Sequence, residues 1–292
     1  RRFSSSGANC AHGCLLAAVM TTDRLPITVL LAVKNEEANI AKCLRSLACV
    51  QRVVLIDSGS SDRTAEIARS HAAEIVQFNY RGGYPKKRQW AMDTLSIDTA
   101  WTLLLDADEV MPDALWDEIS PALVDPRAPD AFMIMKGFHF LGRRMRFGGF
   151  SHSAVLLFRT GKARCERLID DSADGLDMEV HERVLVDGRI GELAVPLIHE
   201  DFKGLEAYIA RHNKYSTWEA CVRHQFLTTG RYGQDAIVPR LFGNIQERRR
   251  FLKSLSMRVP GEHWLWFCYH YFFKLGLLEG RPGLIASQIR SS

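Results

Sequence analysis

The sequence predicts an α/β protein: an open, mostly parallel twisted sheet with helices on both faces, followed by a helical C-terminal extension. Between residues 25 and 128, short apolar runs alternate with stretches in which apolar residues recur at helical spacing. The runs are almost continuously apolar, which is typical of strands buried on both faces. Strands that alternate with helices pair in parallel through right-handed crossovers. From Leu205 onward the pattern is mainly helical.

The predicted elements follow one another in short units. We predict strands at 27–33, 53–56, 75–78 and 101–105, and two further strands beyond Pro129 at 132–135 and 154–158. Helices are expected to start at the acidic 35–37 segment, at Thr64, at Pro85 and at Pro112, and the second of them to end at His71. Residues 1–24 contain an apolar stretch too short for a signal peptide, and we expect them to be a disordered tail.

Composition excludes several classes of protein. Hydrophobic residues make up 47% and charged residues 25% of the 292 residues, which is ordinary for a folded protein. The net charge of +4 is too small to indicate nucleic-acid binding. The seven cysteines contain no C-x-x-C pair, which favours idle thiols in a reducing, cytoplasmic compartment. No apolar run approaches the ~20 residues of a membrane-spanning helix.

Acidic residues follow the predicted strands where ligands bind in open α/β sheets, at the carboxyl ends. Asp57 follows the second strand, and Asp106 and Asp108 flank one small residue after the fourth. Two carboxylates this close repel each other unless a cation lies between them, and oxygen ligands select Mg²⁺ or Mn²⁺. The pattern predicts a metal that stabilises a departing diphosphate. The alternative is that these carboxylates only cap the next helix.

Two other segments suggest nucleotide binding. The Asp57 carboxylate could accept a hydrogen bond from a pyrimidine N–H, with Gly59 allowing close approach of the ligand to the backbone. The alternative is an ordinary turn into a helix. The basic cluster at 81–88, which includes Lys87 and Arg88, opens a helix, where cations oppose the macrodipole. A docked anion would explain this, and a solvated basic loop is the alternative.

Three motifs together resemble glycosyltransferase family 2, the inverting enzymes of the GT-A fold. They are the segments 33–37 (VKNEE), 56–62 (IDSGSSD) and 105–109 (LDADE). More narrowly, the chain resembles lipopolysaccharide core glucosyltransferases that act on an inner-core heptose, including at 180–182 (VHE) and 276–283 (GLLEGRPG). The resemblance implies a GT-A catalytic domain at 25–204, with a nucleotide-binding half at 25–128 and an acceptor-side half at 129–204. A basic, aromatic extension follows at 205–292.

The resemblance also implies residue roles. Nucleotide-sugar binding falls to Asn35, Glu36, Asp57, Lys87, Arg88 and Asp106. Metal binding falls to Asp106, Asp108 and His199, although His199 could equally be a satisfied core histidine. The catalytic residues are Asp108, as the closer metal ligand, and Glu182, as the base.

The implied reaction is inverting transfer of a hexose, with UDP-glucose as the expected donor, to a lipid-linked saccharide acceptor of the cell envelope. Lipopolysaccharide core biosynthesis at the cytoplasmic face of the inner membrane is the expected setting. Alternatives are a polyprenyl-phosphate acceptor and a non-catalytic nucleotide-sugar-binding protein. A nucleotidylyltransferase should carry a glycine-rich loop after the first strand, and residues 34–37 contain no glycine.

The C-terminal third suggests an anionic membrane surface as a partner. Arginines at 248–250 precede the aromatic segment 264–274. Such a segment is typical of interfacial helices, with aromatics at headgroup depth and cations on anionic lipid. A helix would place His270 and Lys274 on one face. The alternative is a buried helix that packs on the sheet.

Overall fold

A computed structural model describes residues 24–168, 183–233 and 235–291 of the chain. The strands are β1 (Leu25–Val33), β2 (Val50–Asp57), β3 (Glu74–Gln77), β4 (Trp101–Asp106), β5 (Glu109–Val110), β6 (Ala131–Phe140), β7 (Arg143–Arg144), β8 (His152–Arg159), β9 (Ala163–Cys165), β10 (Val184–Val186), β11 (Ile190–Glu192) and β12 (Leu197–His199). The helices are α1 (Ile40–Arg45), α2 (Thr64–Ser70), α3 (Lys87–Thr94), α4 (Asp113–Val124), α5 (Gly204–Thr229), α6 (Ile245–Ser256), α7 (Glu262–Cys268) and α8 (Gly280–Ser291).

Most strands form one twisted sheet in the order β3-β2-β1-β4-β8-β6-β12-β5, with β7 and β11 also paired to β6. The pairs β1–β2, β1–β4, β2–β3 and β6–β12 are parallel. Strand β8 runs antiparallel to both β4 and β6, so those two strands point the same way. The carboxyl ends of β1, β2, β4, β6 and β12 and the amino end of β8 therefore share one edge. This arrangement confirms the predicted open, mostly parallel sheet.

Helices cover both faces of the sheet, as the apolar runs predict. Residues Val29 and Leu31 of β1 pack in a cluster with α1, α2 and α4, whereas Leu30 packs in a second cluster with α3. Successive side chains of a strand point to opposite faces, so a run without polar interruptions is what a doubly covered strand requires. Full burial of each such leucine contributes about 1.5–3 kcal/mol.

Two helix starts differ from the predictions. Helix α1 begins at Ile40, because the acidic segment before it forms a turn in which Lys203 and Asn39 bind the Glu36 carboxylate. Helix α3 begins at Lys87, because the residue after Pro85 still has an extended backbone. Strand β5 is only two residues long and has no signature in the sequence.

The C-terminal extension is helical, as predicted, but its aromatic segment is not one α-helix. Helix α7 ends at Cys268, and the next five residues form a π-helical turn. His270 is buried there, with its Nδ1 2.6 Å from the carbonyl oxygen of Gly148, whereas Lys274 is exposed. His270 is therefore not available beside Lys274 at an exposed interfacial face, because it packs against the backbone of Gly148.

The segment 276–283 packs tightly against the sheet domain. A Cβ atom on Gly283 would lie 2.0 Å from the carbonyl oxygen of Gly276, so only glycine fits there. The buried Glu279 carboxylate accepts hydrogen bonds from the backbone N–H groups of Arg146 (2.6 Å) and Phe147 (2.8 Å). This motif thus ties the loop between β7 and β8 to the C-terminal helices.

Of the described residues, none belongs to a helix that is long and apolar enough to cross a membrane. The expected tail at 1–24 falls outside the described residues except for Arg24, and so does the segment 180–182.

Candidate active site

A cavity of about 2200 Å³ lies between the carboxyl edge of the sheet and helices α5, α6 and α7. It contains most of the site residues expected from the sequence. Those that line it are Asn35, Glu36, Lys87, Arg88, Asp106, Asp108 and His199. Asp57 is not among the described residues that line it, and the expected base, Glu182, lies outside the described part of the chain.

Asp106 stands between two cations at the end of β4. Arg88 Nη2 binds Asp106 Oδ1, and Lys136 Nζ lies 3.2 Å from Asp106 Oδ2. Burial opposes ionisation, but Arg88 and Lys136 more than offset it and hold the pKa of Asp106 below its usual range. Lys136 also contacts the fully buried Glu109, 2.5 Å from Oε1. Asp106 is therefore an ionised, ion-paired carboxylate.

Asp108 pairs with His199. The Nε2 atom of His199 lies 3.3 Å from Asp108 Oδ2, and Arg211 Nη1 lies 3.6 Å from the same oxygen. Burial favours the neutral forms, but the two groups stabilise each other's charge more strongly, so the pKa of Asp108 is lowered and the pKa of His199 is raised. His199 is therefore a site residue and not an isolated core histidine.

The metal-binding prediction can be tested against these contacts. Across the described ranges, no group of three or more His, Cys, Asp or Glu side chains could hold an ion. The 3.3 Å between Asp108 and His199 nevertheless fits adjacent ligands of one octahedral ion, which lie about 3 Å apart when the bonds are about 2.1 Å. Mg²⁺ is often held by one or two side chains, with water and substrate phosphates completing the shell. Asp108 and His199 therefore fit a divalent ion, whereas both Asp106 oxygens are occupied by cations.

The nucleotide-binding candidates Asn35, which follows β1, and Asp57, which ends β2, both accept hydrogen bonds from the loop after β2. Asn35, at a positive φ of 54°, accepts a hydrogen bond from the Ser61 N–H at 2.8 Å. Asp57 is only 3% exposed; its Oδ1 accepts from the Ser60 N–H (3.0 Å) and its Oδ2 from Gln77 Nε2 (3.1 Å). Asp57 thus holds the loop after β2 in shape, and contact with a base stays a prediction.

Three cations of the site were not identified from the sequence. Lys136 follows the apolar run 131–135 within β6, Lys203 binds Glu36, and Arg211 of α5 contacts Asp108. For Lys136 a signal existed, since it directly follows the apolar run of the predicted strand 132–135, as Asp106 follows the run of its own strand. Arg211 has no such signal, because only the docking of α5 brings it to the sheet.

Comparison with known proteins gives the family. The model of "Glycosyl transferase family 2" matches residues 28–146. A lipopolysaccharide core biosynthesis glycosyltransferase, LpsC of Rhizobium meliloti (strain 1021), is 30% identical over an alignment of 210 residues, and the match covers 68% of this chain and 71% of that protein. An uncharacterized glycosyltransferase of Rickettsia typhi (strain ATCC VR-144 / Wilmington) is 33% identical over 32% of this chain and 31% of its own length.

A similar solved structure is glucosyl-3-phosphoglycerate synthase from Mycobacterium tuberculosis, in complex with Mn²⁺, UDP and glucosyl-3-phosphoglycerate. It is 24% identical with a TM-score of 0.31, and the match covers 40% of this chain and 45% of the synthase. The match to the Rhizobium protein, by contrast, extends over most of both chains. The chain therefore belongs to glycosyltransferase family 2 and is a glycosyltransferase.

Proposed function

We propose that this glycosyltransferase moves a hexose, with glucose as the first candidate, from a UDP-sugar to a saccharide acceptor of the lipopolysaccharide core, with inversion. The observation that carries the proposal is the pairing of Asp108 with His199, 3.3 Å apart, at the open edge of the sheet. The name of the Rhizobium relative supports the lipopolysaccharide core as the setting.

The charges around the site suit a departing diphosphate. Asp106 holds Arg88 and Lys136 at the edge of the sheet, and Asp108 holds Arg211 there. These three cations can stabilise the negative charge that develops during the reaction. A divalent ion bound by Asp108 and His199 would supply Lewis-acid stabilisation of the same charge.

Inversion requires the acceptor hydroxyl to attack from the face opposite the diphosphate, and a base must remove its proton. Glu182 is the proposed base. Its location in the acceptor-side half, residues 129–204, supports this assignment, which rests on the family resemblance.

The size of the cavity supports a large acceptor. Sites for small molecules usually have volumes of about 300–1,000 Å³. At about 2200 Å³, this cavity has room for a nucleotide sugar and several sugar units of an acceptor. The arrangement therefore favours an oligosaccharide over a small acceptor.

The test is hydrolysis of a panel of nucleotide sugars by the full chain, with and without Mn²⁺ or Mg²⁺, followed as release of nucleoside diphosphate. We expect slow release of UDP from one UDP-sugar, only when metal is present. If no sugar is hydrolysed, UDP binding is measured by calorimetry with metal. Absence of UDP binding there would contradict the proposal and favour a degenerate site.

We also propose that the protein docks on the anionic cytoplasmic face of the inner membrane. Several large apolar side chains of the C-terminal region are exposed, including Trp264 (66%), Phe272 (55%) and Phe273 (85%). Lys274 and Arg281, which follow these side chains in the sequence, are also exposed. Aromatic side chains combined with cations suit the interface of an anionic bilayer.

Flotation with vesicles containing anionic lipid should carry the full chain upward, and less of it at high salt. Replacing Trp264 and Phe273 with serine should weaken binding by about tenfold or more, because each buried aromatic contributes about 1.5–3 kcal/mol. Leu227→Ser, at a 50% exposed leucine of α5, is the matched control and should bind normally. A wild-type protein that stays in solution with anionic vesicles would contradict membrane docking.

A further inference from the structure

Three arginines line a second part of the cavity wall, where β8 meets α6. Arg249 Nη1 lies 3.0 Å from the carbonyl oxygen of Ser153, at the amino end of β8. Arg183 Nη1 lies 2.6 Å from the carbonyl oxygen of Gln246 in α6. Arg250 is 1% exposed and also lines the cavity. The cluster draws on two separate parts of the chain.

The position of this cluster separates it from the nucleotide side of the sheet. Strand β8 lies on one side of β4, whereas β1 and β2, which carry Asn35 and Asp57, lie on the other. A donor that contacts the ends of β1, β2 and β4 would leave the end of β8 to the second substrate. The arginines therefore lie on the acceptor side of the reaction centre.

The cluster carries more positive than negative charge. Its buried acid, Glu166, accepts hydrogen bonds from Arg250 Nη2 (2.5 Å) and from the backbone N–H of Arg183 (2.8 Å). Burial, together with the neighbouring Arg250, lowers the pKa of Arg183 to about 10. Confining like charges costs free energy unless an opposite charge compensates. One carboxylate does not neutralise three guanidinium groups.

Donor groups remain available in this cluster. Among the described residues, Arg183 and Arg249 each use their guanidinium for one hydrogen bond, to a backbone carbonyl, and Arg250 Nε has no partner. The nearby cavity cations Arg223 and Lys253 are instead paired with Glu262 and Glu219. The cluster is thus the part of this wall with unused capacity for an anion.

We propose that Arg183 and Arg249, backed by Arg250, bind a phosphate monoester carried by the acceptor saccharide. Guanidinium groups match the oxygens of phosphate and carboxylate with paired hydrogen bonds. Two of them facing one cavity suit a doubly charged phosphate better than a single carboxylate. This inference rests on the proposed transferase function and names the class of its acceptor.

The test uses the full chain with saturating UDP and Mg²⁺, so that the donor site is filled, and measures binding of glucose 6-phosphate by calorimetry. Glucose and inorganic phosphate are titrated in parallel. We expect glucose 6-phosphate to bind the wild type and glucose not to bind. Arg249→Ala and Arg183→Gln should each weaken the binding of glucose 6-phosphate by at least about tenfold, as expected for the loss of hydrogen bonds to a charged group. UDP affinity should be unchanged.

Arg248→Ala is the matched control, because Arg248 is exposed on the same helix and does not line the cavity. Equal binding of glucose 6-phosphate by Arg249→Ala and wild type would overturn the proposal. Binding of inorganic phosphate without binding of glucose 6-phosphate would also overturn the proposal. Loss of UDP affinity in the arginine variants would overturn it as well, because that result would assign the cluster to the donor. If UDP fails to bind even the wild type, the transferase proposal fails, and the phosphate titrations repeated without UDP still decide the role of the arginines.

Discussion

Asp108→Asn is expected to lower sugar transfer by about a hundred- to a thousand-fold, the usual cost of losing one group that stabilises transition-state charge. Asparagine keeps the shape of the side chain but removes the charge that pairs with His199 and that would hold a divalent ion. Two measurements check this: turnover of the UDP-sugar with saturating Mg²⁺ or Mn²⁺, and calorimetric binding of the metal in the presence of UDP. Both should fall together.

The matched control for this variant is Asp117→Asn, at an exposed aspartate of α4. It should leave transfer and metal binding unchanged. The urea midpoint of Asp108→Asn should stay near that of the wild type, since Arg211 keeps its contact with Asp201, 2.8 Å away. Wild-type turnover in a folded Asp108→Asn protein would remove the basis for the proposed metal site.

The sheet and the main acidic residues of the site could be predicted because both depend on local sequence. A strand buried on both faces needs an uninterrupted apolar run, and the run stops where the strand reaches the solvent edge. Asp106 and Asp108 follow such a run, so their place at the edge was determined by one short segment. The same logic places Asn35, which follows β1. His199, at the end of β12, is predicted only through the family resemblance.

The partners of these carboxylates could not be predicted, because they come from distant segments. Lys136 reaches Asp106 only because β8 lies between β4 and β6 and aligns their ends. Glu36 is predicted to bind the nucleotide, and it does line the cavity, but its carboxylate also binds Lys203 and Asn39. The contacts of Glu36 with Lys203 depend on how α5 packs against the sheet, and no short sequence pattern predicts that packing.

The arginines of α6 illustrate the same limit at the scale of one helical turn. From the sequence alone, Arg248, Arg249 and Arg250 are all predicted to be cations for an anionic membrane. Successive residues of an α-helix are rotated by about 100° from one another, so the three point in different directions. Arg248 and Arg249 are both exposed, but Arg249 reaches Ser153 and lines the cavity, whereas Arg250 is buried on Glu166. Of the three, Arg248 alone is exposed away from the cavity.

Glu166→Ala is expected to destabilise the fold by about 3–5 kcal/mol, the range found when one partner of a buried ion pair is removed. Glu166 is fully buried and accepts three hydrogen bonds, two of them from the backbone N–H groups of Arg183 (2.8 Å) and Ile237 (2.7 Å). Without it, these groups and the Arg250 guanidinium would be buried unpaired. Urea unfolding should report a lower midpoint with an unchanged slope.

Two further variants separate the loss of the charge pair from a general defect. Glu206→Ala, at an exposed glutamate of α5, should change stability by no more than about 0.5 kcal/mol. Combining Glu166→Ala with Arg250→Met should recover part of the lost stability, because the unpaired cation is then removed as well. The backbone groups of Arg183 and Ile237 would still lack an acceptor, so recovery should stay incomplete. A double variant no more stable than Glu166→Ala would mean that the backbone hydrogen bonds, and not the Arg250 pair, carry the contribution of Glu166 to the fold.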